Sequence, residues 1–358
     1  MLPHAKYALI FCSLLLLAAC RNEPSSDATS VMIYQLSIKA GQTSLRDAPG
    51  EAGTVLKELP KGTSLRDLGE VSDFLTRITT QGTEQYEPWL KVATADEEQG
   101  WVYAGAIEFG ADTTLLHEKR FKALLGAKAY QQAKDWQATF KNISNQESLA
   151  NAYTQGKVLR DSLVRTLENR VQFDGETPPD MFWLGHVVPG FVAQLVAEGT
   201  AYYLFEDYSH WQKIAAKTPQ KEDDGFFQFC IQMFPEDSIE YFFPAWTIQT
   251  WDYGGCSLLG RSIHLKLLET ANRLCTANTP FRSEILSRKA ELINDMTQEG
   301  VEYWEQPEKI MRELDAILER NFEILTEADK IALRTRRTHF EAPSKHNLKT
   351  GMGSGSTN

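Results

Sequence analysis

Few residues of this chain stand in a pattern that does chemistry. Seven histidines among 358 residues include no His-Glu-x-x-His run, the spacing that sets two imidazoles on one helical face around a base. His186 is followed by Val187-Val188-Pro189-Gly190, which supplies neither that base nor the second imidazole. Glu198 lies twelve residues before His210, and Glu206 and His210 form an i,i+4 pair that reads more simply as a surface contact. A binding role is therefore expected, with a hydrolase built on Glu198, His186 and His210 as the alternative. No Gly-x-Ser-x-Gly turn, P-loop or dinucleotide fingerprint occurs, and the sequence points to no catalytic residue, cofactor or metal ligand.

One cysteine is marked by its position. A single Lys6 precedes an apolar run from Tyr7 to Ala19, which ends in Leu17-Ala18-Ala19-Cys20. A charged start, a short apolar stretch and small residues before a cleavage point make a secretory signal, too short to span a bilayer. The tetrapeptide resembles the bacterial lipobox. That resemblance implies cleavage before Cys20, diacylglycerol on its thiol and acylation of the new N-terminus, and so stable anchoring in a membrane. Arg21 in the following position implies the outer membrane, facing the periplasm. The polar stretch from Cys20 to Ser30 reads as a tether. Farther on, Ala197-Glu198-Gly199-Thr200-Ala201-Tyr202-Tyr203 resembles the helix that carries the third ligand in several zinc peptidase families. Those families also need the His-Glu-x-x-His run that is missing here.

Composition narrows the partners. The formal charge of −11 comes with 42% hydrophobic residues, enough for sizeable cores. An acidic chain without a basic stripe is a poor match for nucleic acid, whose affinity comes from phosphate neutralisation. Cys230, Cys256 and Cys275 remain once Cys12 and Cys20 are set aside. If Ser257 to Thr276 is one helix, Cys256 and Cys275 lie ~28 Å apart along its axis, which excludes that disulfide. Cys230 pairing with either, or three reduced thiols, both stay open.

The elements that must position these residues fall into two groups. From Val31 to Gly110, short β-branched runs alternate with Gly and Pro punctuation. The strand candidates begin at Tyr34–Ile38 and include Thr54–Leu59, Thr63–Leu68, Phe74–Thr79, Trp89–Val92 and Gly100–Tyr103, with a Pro60-Lys61-Gly62 turn. Such spacing indicates a small barrel or sandwich. The residues Leu45-Arg46-x-x-Pro49, Val55-x-x-x-Leu59-x-x-Gly62, Trp89-Leu90-Lys91-Val92 and Gly100-Trp101-Val102 resemble, in that order, the bacterial SH3 domain. Tyr103-Ala104-Gly105-Ala106-Ile107 matches that family's closing turn and strand. The stretch Ser64 to Tyr86 is longer than usual and suggests an extended central hairpin. The resemblance implies an SH3-like barrel that binds peptide or cell-wall material, with Tyr86, Trp89, Trp101 and Tyr103 as candidate contacts. Strand alternation sets Trp101 and Tyr103 on one face and Val102 on the other; packing in the core is the favoured place for Trp101.

After Gly110 the pattern becomes helical. Helices are expected over Leu115–Gly126, Ala127–Phe140, Glu147–Val171, Val188–Lys217, Asp223–Met233 and Ser238–Thr250. Further helices are expected over Ser257–Thr276, Ser283–Tyr303, Pro307–Leu325 and Glu327–Arg337, the last behind a Thr326 cap. The whole therefore reads as a signal peptide (1–19), a tether (20–30), a small all-β SH3-like barrel (31–110), an all-α multi-helix domain (112–341) and a disordered tail (342–358). Aromatics from Met181 to Leu268 should fill the helical core. The Gly110–Asp112 junction is too short for independent movement, so Leu115, Leu116 and Phe121 are expected at the contact between the two modules.

Overall fold

The computed structural model describes residues 35–353 except 40, 81, 172–178, 197–200, 237–242 and 250–254. The signal, Cys20 and the tether lie outside the described residues, and so does Glu198. An all-β region is followed by a multi-helix body. No described helix is long and apolar enough to cross a membrane.

The β region runs through β1 (Gln35–Ile38), β2 (Gln42–Arg46), β3 (Val55–Pro60), β4 (Ser64–Val71), β5 (Thr76–Thr80), β6 (Thr83–Glu87), β7 (Trp89–Thr94), β8 (Gln99–Tyr103) and β9 (Ile107–Glu108). Seven of these form one antiparallel sheet in the order β3-β2-β8-β7-β4-β1-β9. This sheet has two edges, β3 and β9, and does not close on itself. β5 and β6 pair separately as a hairpin inside the stretch that the sequence marks as extended. Period-two alternation fixes the faces: Leu90, Val92 and Val102 point into an aliphatic core with Leu36, Ile38, Leu45, Leu59, Leu65 and Ile107. At the Pro60-Lys61-Gly62 turn, Thr63 N–H donates to the Pro60 carbonyl at 3.1 Å and Gly62 takes the positive φ that the turn needs.

Nine α-helices occur among the described residues: α1 (Thr114–Lys141), α2 (Gln146–Arg170), α3 (Leu184–Val187), α4 (Tyr208–Ala215), α5 (Glu222–Met233), α6 (Ile263–Leu274), α7 (Arg282–Thr297), α8 (Pro307–Glu319) and α9 (Glu327–His339). α1 breaks at Gly126 (φ 87°, ψ 168°). Its halves fold back, since Glu118 pairs with Lys134 at 2.7 Å and accepts from the Tyr130 hydroxyl at 2.9 Å. Asp112 rather than Thr113 caps it, accepting from Thr114 N–H. Thr326 caps α9 in a reciprocal box with Asp329, as its sequence predicts. The aromatic core is built on Trp211, which stacks on Phe227 at 5.7 Å and meets Tyr153 edge-on at 5.4 Å; Phe226 stacks on Phe281 at 4.3 Å.

Three expectations need correction. The body is not all-α: in place of the Val188–Lys217 helix stand β10 (Phe191–Val196) and β11 (Ala201–Glu206), an antiparallel hairpin, followed by the short α4. The alternating burial of Phe191, Ala193, Tyr202 and Leu204 is the two-residue period of a strand. β12 (Thr247–Gln249) and β13 (Gly255–Ser257) make a second hairpin where the sequence suggests the end of one helix and the start of another. Cys256 therefore sits on a strand, outside the helix that framed the thiol argument. No disulfide joins Cys230, Cys256 and Cys275, and Cys230 and Cys256 are buried.

The tail is the third correction, since its described part, residues 342–353, holds a defined turn and backbone pairing. A 3-10 turn spans Pro343–His346, and Lys349 bridges Glu302 in parallel register. Gly351, Met352 and Gly353 N–H then donate to the Glu305, Tyr303 and Trp304 carbonyls. On its other side the Glu302–Glu305 stretch, not the tail, pairs with β13 through Tyr303 and Ser257. Backbone hydrogen bonds rather than apolar periodicity hold this stretch, which is why its polar composition hides it.

The two modules meet along a fixed seam. Leu115 and Leu116 pack against the β core, as expected, whereas Phe121 is buried in the helical core. Lys119 and Asp67 form a buried ion pair at 2.7 Å. Arg120 grips Glu87 with two hydrogen bonds, one of 2.7 Å from Nε, and Leu75 reaches across to the helical core.

Candidate functional site

The outer face of the sheet collects the aromatic residues that the sequence singles out. Trp89 lies opposite Tyr103, and Trp101 lies between Lys91 and Arg46 on the flanking strands. Trp89 and Tyr103 are in contact at 5.6 Å and are only 3% and 6% exposed. The β5–β6 hairpin covers them. Trp89 Nε1 donates to Thr76 Oγ1 at 2.8 Å, and the Tyr103 hydroxyl sits between the Thr76 and Gln85 carbonyls at 3.0 and 2.8 Å. Burial pushes the Tyr103 phenol well above its ordinary range. These two rings rivet the hairpin to the sheet. Trp101 is half-buried on that outer face and is not part of the aliphatic core, because the adjacent Val102 takes the inward position. This reverses the favoured assignment. Tyr86 is also half-buried, with the Arg77 guanidinium 5.7 Å from its ring.

Tyr86 opens onto a groove at the seam, a cavity of about 440 Å³. The hairpin supplies Arg77, Glu84, Tyr86 and Glu87, while α1 supplies Leu116 and Arg120. Lys39 and Asp180 complete the wall, so both signs of charge line one aromatic surface. Such a lining suits a polar chain with alternating character better than a polyanion. Beside Arg120, His117 stacks on His186 at 4.9 Å and faces Trp183 at 6.4 Å. Burial first, then the neighbouring His186 and Arg120, push His117 down to about 4. The sequence reading missed Arg77, Arg120 and Glu87, because ion pairs between distant segments leave no spacing signal.

The hydrolase set is not assembled among the described residues. His186 on α3 is engaged in the ring stack at the seam. His210 N–H donates to Asp207 as part of the α4 cap at 2.8 Å, its ring lies 5.5 Å from Phe140, and Glu206 pairs with Arg160 instead. No group of three or more His, Cys, Asp or Glu side chains is placed to hold a metal ion among the described residues. A different set of the right residue types is buried in the body: Ser257 Oγ donates to Asp295 Oδ2 at 2.6 Å, and His264 Nε2 lies 2.7 Å from the same oxygen. The carboxylate stands between hydroxyl and imidazole, so the serine has no adjacent base, and the order is wrong for nucleophilic activation. Comparison of the chain with protein-family models, with curated proteins and with solved structures found no match.

Proposed function

We propose that this protein is a lipid-anchored lipoprotein of the bacterial envelope that works as a binding and scaffolding component. Its β module acts as an SH3-like domain that takes peptide or cell-wall material in the seam groove. The anchor rests on the Leu17-Ala18-Ala19-Cys20 sequence, and the SH3-like reading on the ordered motifs from Leu45 to Ile107. The observation that carries the binding role is the groove itself, where Tyr86 and Arg77 on the hairpin face Leu116 and Arg120 on the body. Because Lys119–Asp67 and Arg120–Glu87 lock its two walls, the groove keeps one shape and gains from preorganisation. Of the four aromatic candidates, Tyr86 and Trp101 have ring surface left for a ligand; Trp89 and Tyr103 serve by holding the hairpin in place.

The test is co-sedimentation of the full-length protein with isolated cell-wall sacculi, together with membrane fractionation. Tyr86→Ala should lower wall binding several-fold with little change in melting temperature, whereas unchanged binding would remove the groove from the reading. Cys20→Ala should release the protein from membranes with the β module still folded. Retention of that variant in the pellet after a high-salt wash would mean that the anchor is not lipid at Cys20.

A further inference from the structure

The helical body holds a second cavity, of about 280 Å³, bounded by α2, β11 and α7, and its charges are not all balanced. Arg160 is matched by Glu206, and Lys157 by Glu284 at 2.5 Å. Arg288 is ion-paired with Glu291 but is not fully hydrogen-bonded. Its Nη1 donates to Glu291 at 2.8 Å and its Nη2 to the Tyr208 hydroxyl at 2.9 Å, but its buried Nε–H has no acceptor. An unmatched donor on a buried cation is costly and calls for a partner. The guanidinium is held 5.1 Å from the Phe234 ring centroid, which restricts the fork's orientation. The edge left incomplete, Nε together with Nη2, is the one that a carboxylate takes with two parallel hydrogen bonds.

The opposite charge is present in the same cavity. Glu236 is exposed, lines the cavity and forms no ion pair among the described residues. Tyr203 and Phe205, in contact at 4.7 Å, supply an aromatic wall. We infer that this cavity is a binding site for a small zwitterion, a free amino acid or the end of a short peptide. Its carboxylate takes the Arg288 fork and its ammonium takes Glu236. The volume lies at the small end for ligand pockets, which suits one or two residues rather than a long chain. The site is separate from the seam groove and stands whether or not that groove binds cell-wall material.

Calorimetric titration of the full-length protein with dialanine, its C-terminal amide, its N-acetyl derivative and inorganic phosphate tests the assignment. Dialanine should bind saturably, and amidation should weaken it by about tenfold or more, the loss of a charge-assisted pair. Glu236→Gln should weaken dialanine but leave the N-acetyl derivative unchanged. Arg288→Lys, which keeps the charge and loses the fork, should weaken both carboxylate ligands, with its melting curve recorded to confirm folding. Equal binding of the amide would overturn the proposal. So would phosphate binding as tightly at the same site, or no saturation at millimolar dialanine.

Discussion

At the scale of single residues, two tryptophans with similar sequence surroundings have opposite work. Trp89 is buried under the β5–β6 hairpin and gives a hydrogen bond to Thr76, so Trp89→Ala should cost about 3–5 kcal/mol. Trp101 is half-buried, and Trp101→Ala should cost clearly less, about 1–2 kcal/mol. Denaturant melts of the two variants check the pair, and a Trp101 loss equal to that of Trp89 would return it to the core. The sequence carried the alternation of this strand, and with it the shared face of Trp101 and Tyr103. It did not carry which face is covered, because the cover is a hairpin whose contact with Trp89 is set by tertiary packing.

At the scale of elements, α6 shows how a helix start is supplied from elsewhere. Ser262 precedes it in a left-handed conformation and makes no side-chain cap. Glu313 on α8 does that work: its carboxylate accepts from Gly260, Ser262 and Leu265 N–H at 2.6, 2.8 and 3.0 Å while only 4% exposed. A negative charge suits a helix N-terminus. Glu313→Ala should cost about 3 kcal/mol through three orphaned donors, and Glu313→Gln clearly less, by chemical denaturation. Local caps such as Thr326 were legible in the sequence because donor and acceptor lie three residues apart. The Glu313 cap was not, since its partners are some fifty positions away. The β10–β11 hairpin was missed for a related reason: a short apolar run fits either period until its neighbours decide.

At the scale of the whole molecule, the seam couples the modules and carries a titrating group. His117 is held at about 4, below its ordinary 6.5, so the folded state binds fewer protons than the unfolded chain between those values. Stability should therefore be complete above pH 6.5 and fall as pH drops toward 4. His117→Phe, which preserves a ring against His186, should flatten that part of the melting-temperature profile. A slope unchanged by the substitution would assign it to other groups. Inserting about six Gly/Ser residues after Gly110 should lower the melting temperature and enlarge the radius seen by small-angle scattering, because the ion pairs at Lys119 and Arg120 would lose their effective concentration. The two-module division and the contact at Leu115 and Leu116 were readable from composition and linker length. The groove was not, because its walls come from hairpin and helix residues brought together only by folding.

The ordered segment around Lys349 to Gly353 bears on when each module can form. β1 meets β9 within the first hundred or so residues, so the β module has all its strands early in synthesis. The row formed by β13, Glu302–Glu305 and Lys349–Gly353 needs chain from almost the full length of the body. A growing polypeptide stopped near residue 340 would expose the open side of Glu302–Glu305 as an unpaired strand edge, a template for aggregation. The closure of the helical body therefore waits on a strand made some fifty residues after the one it covers.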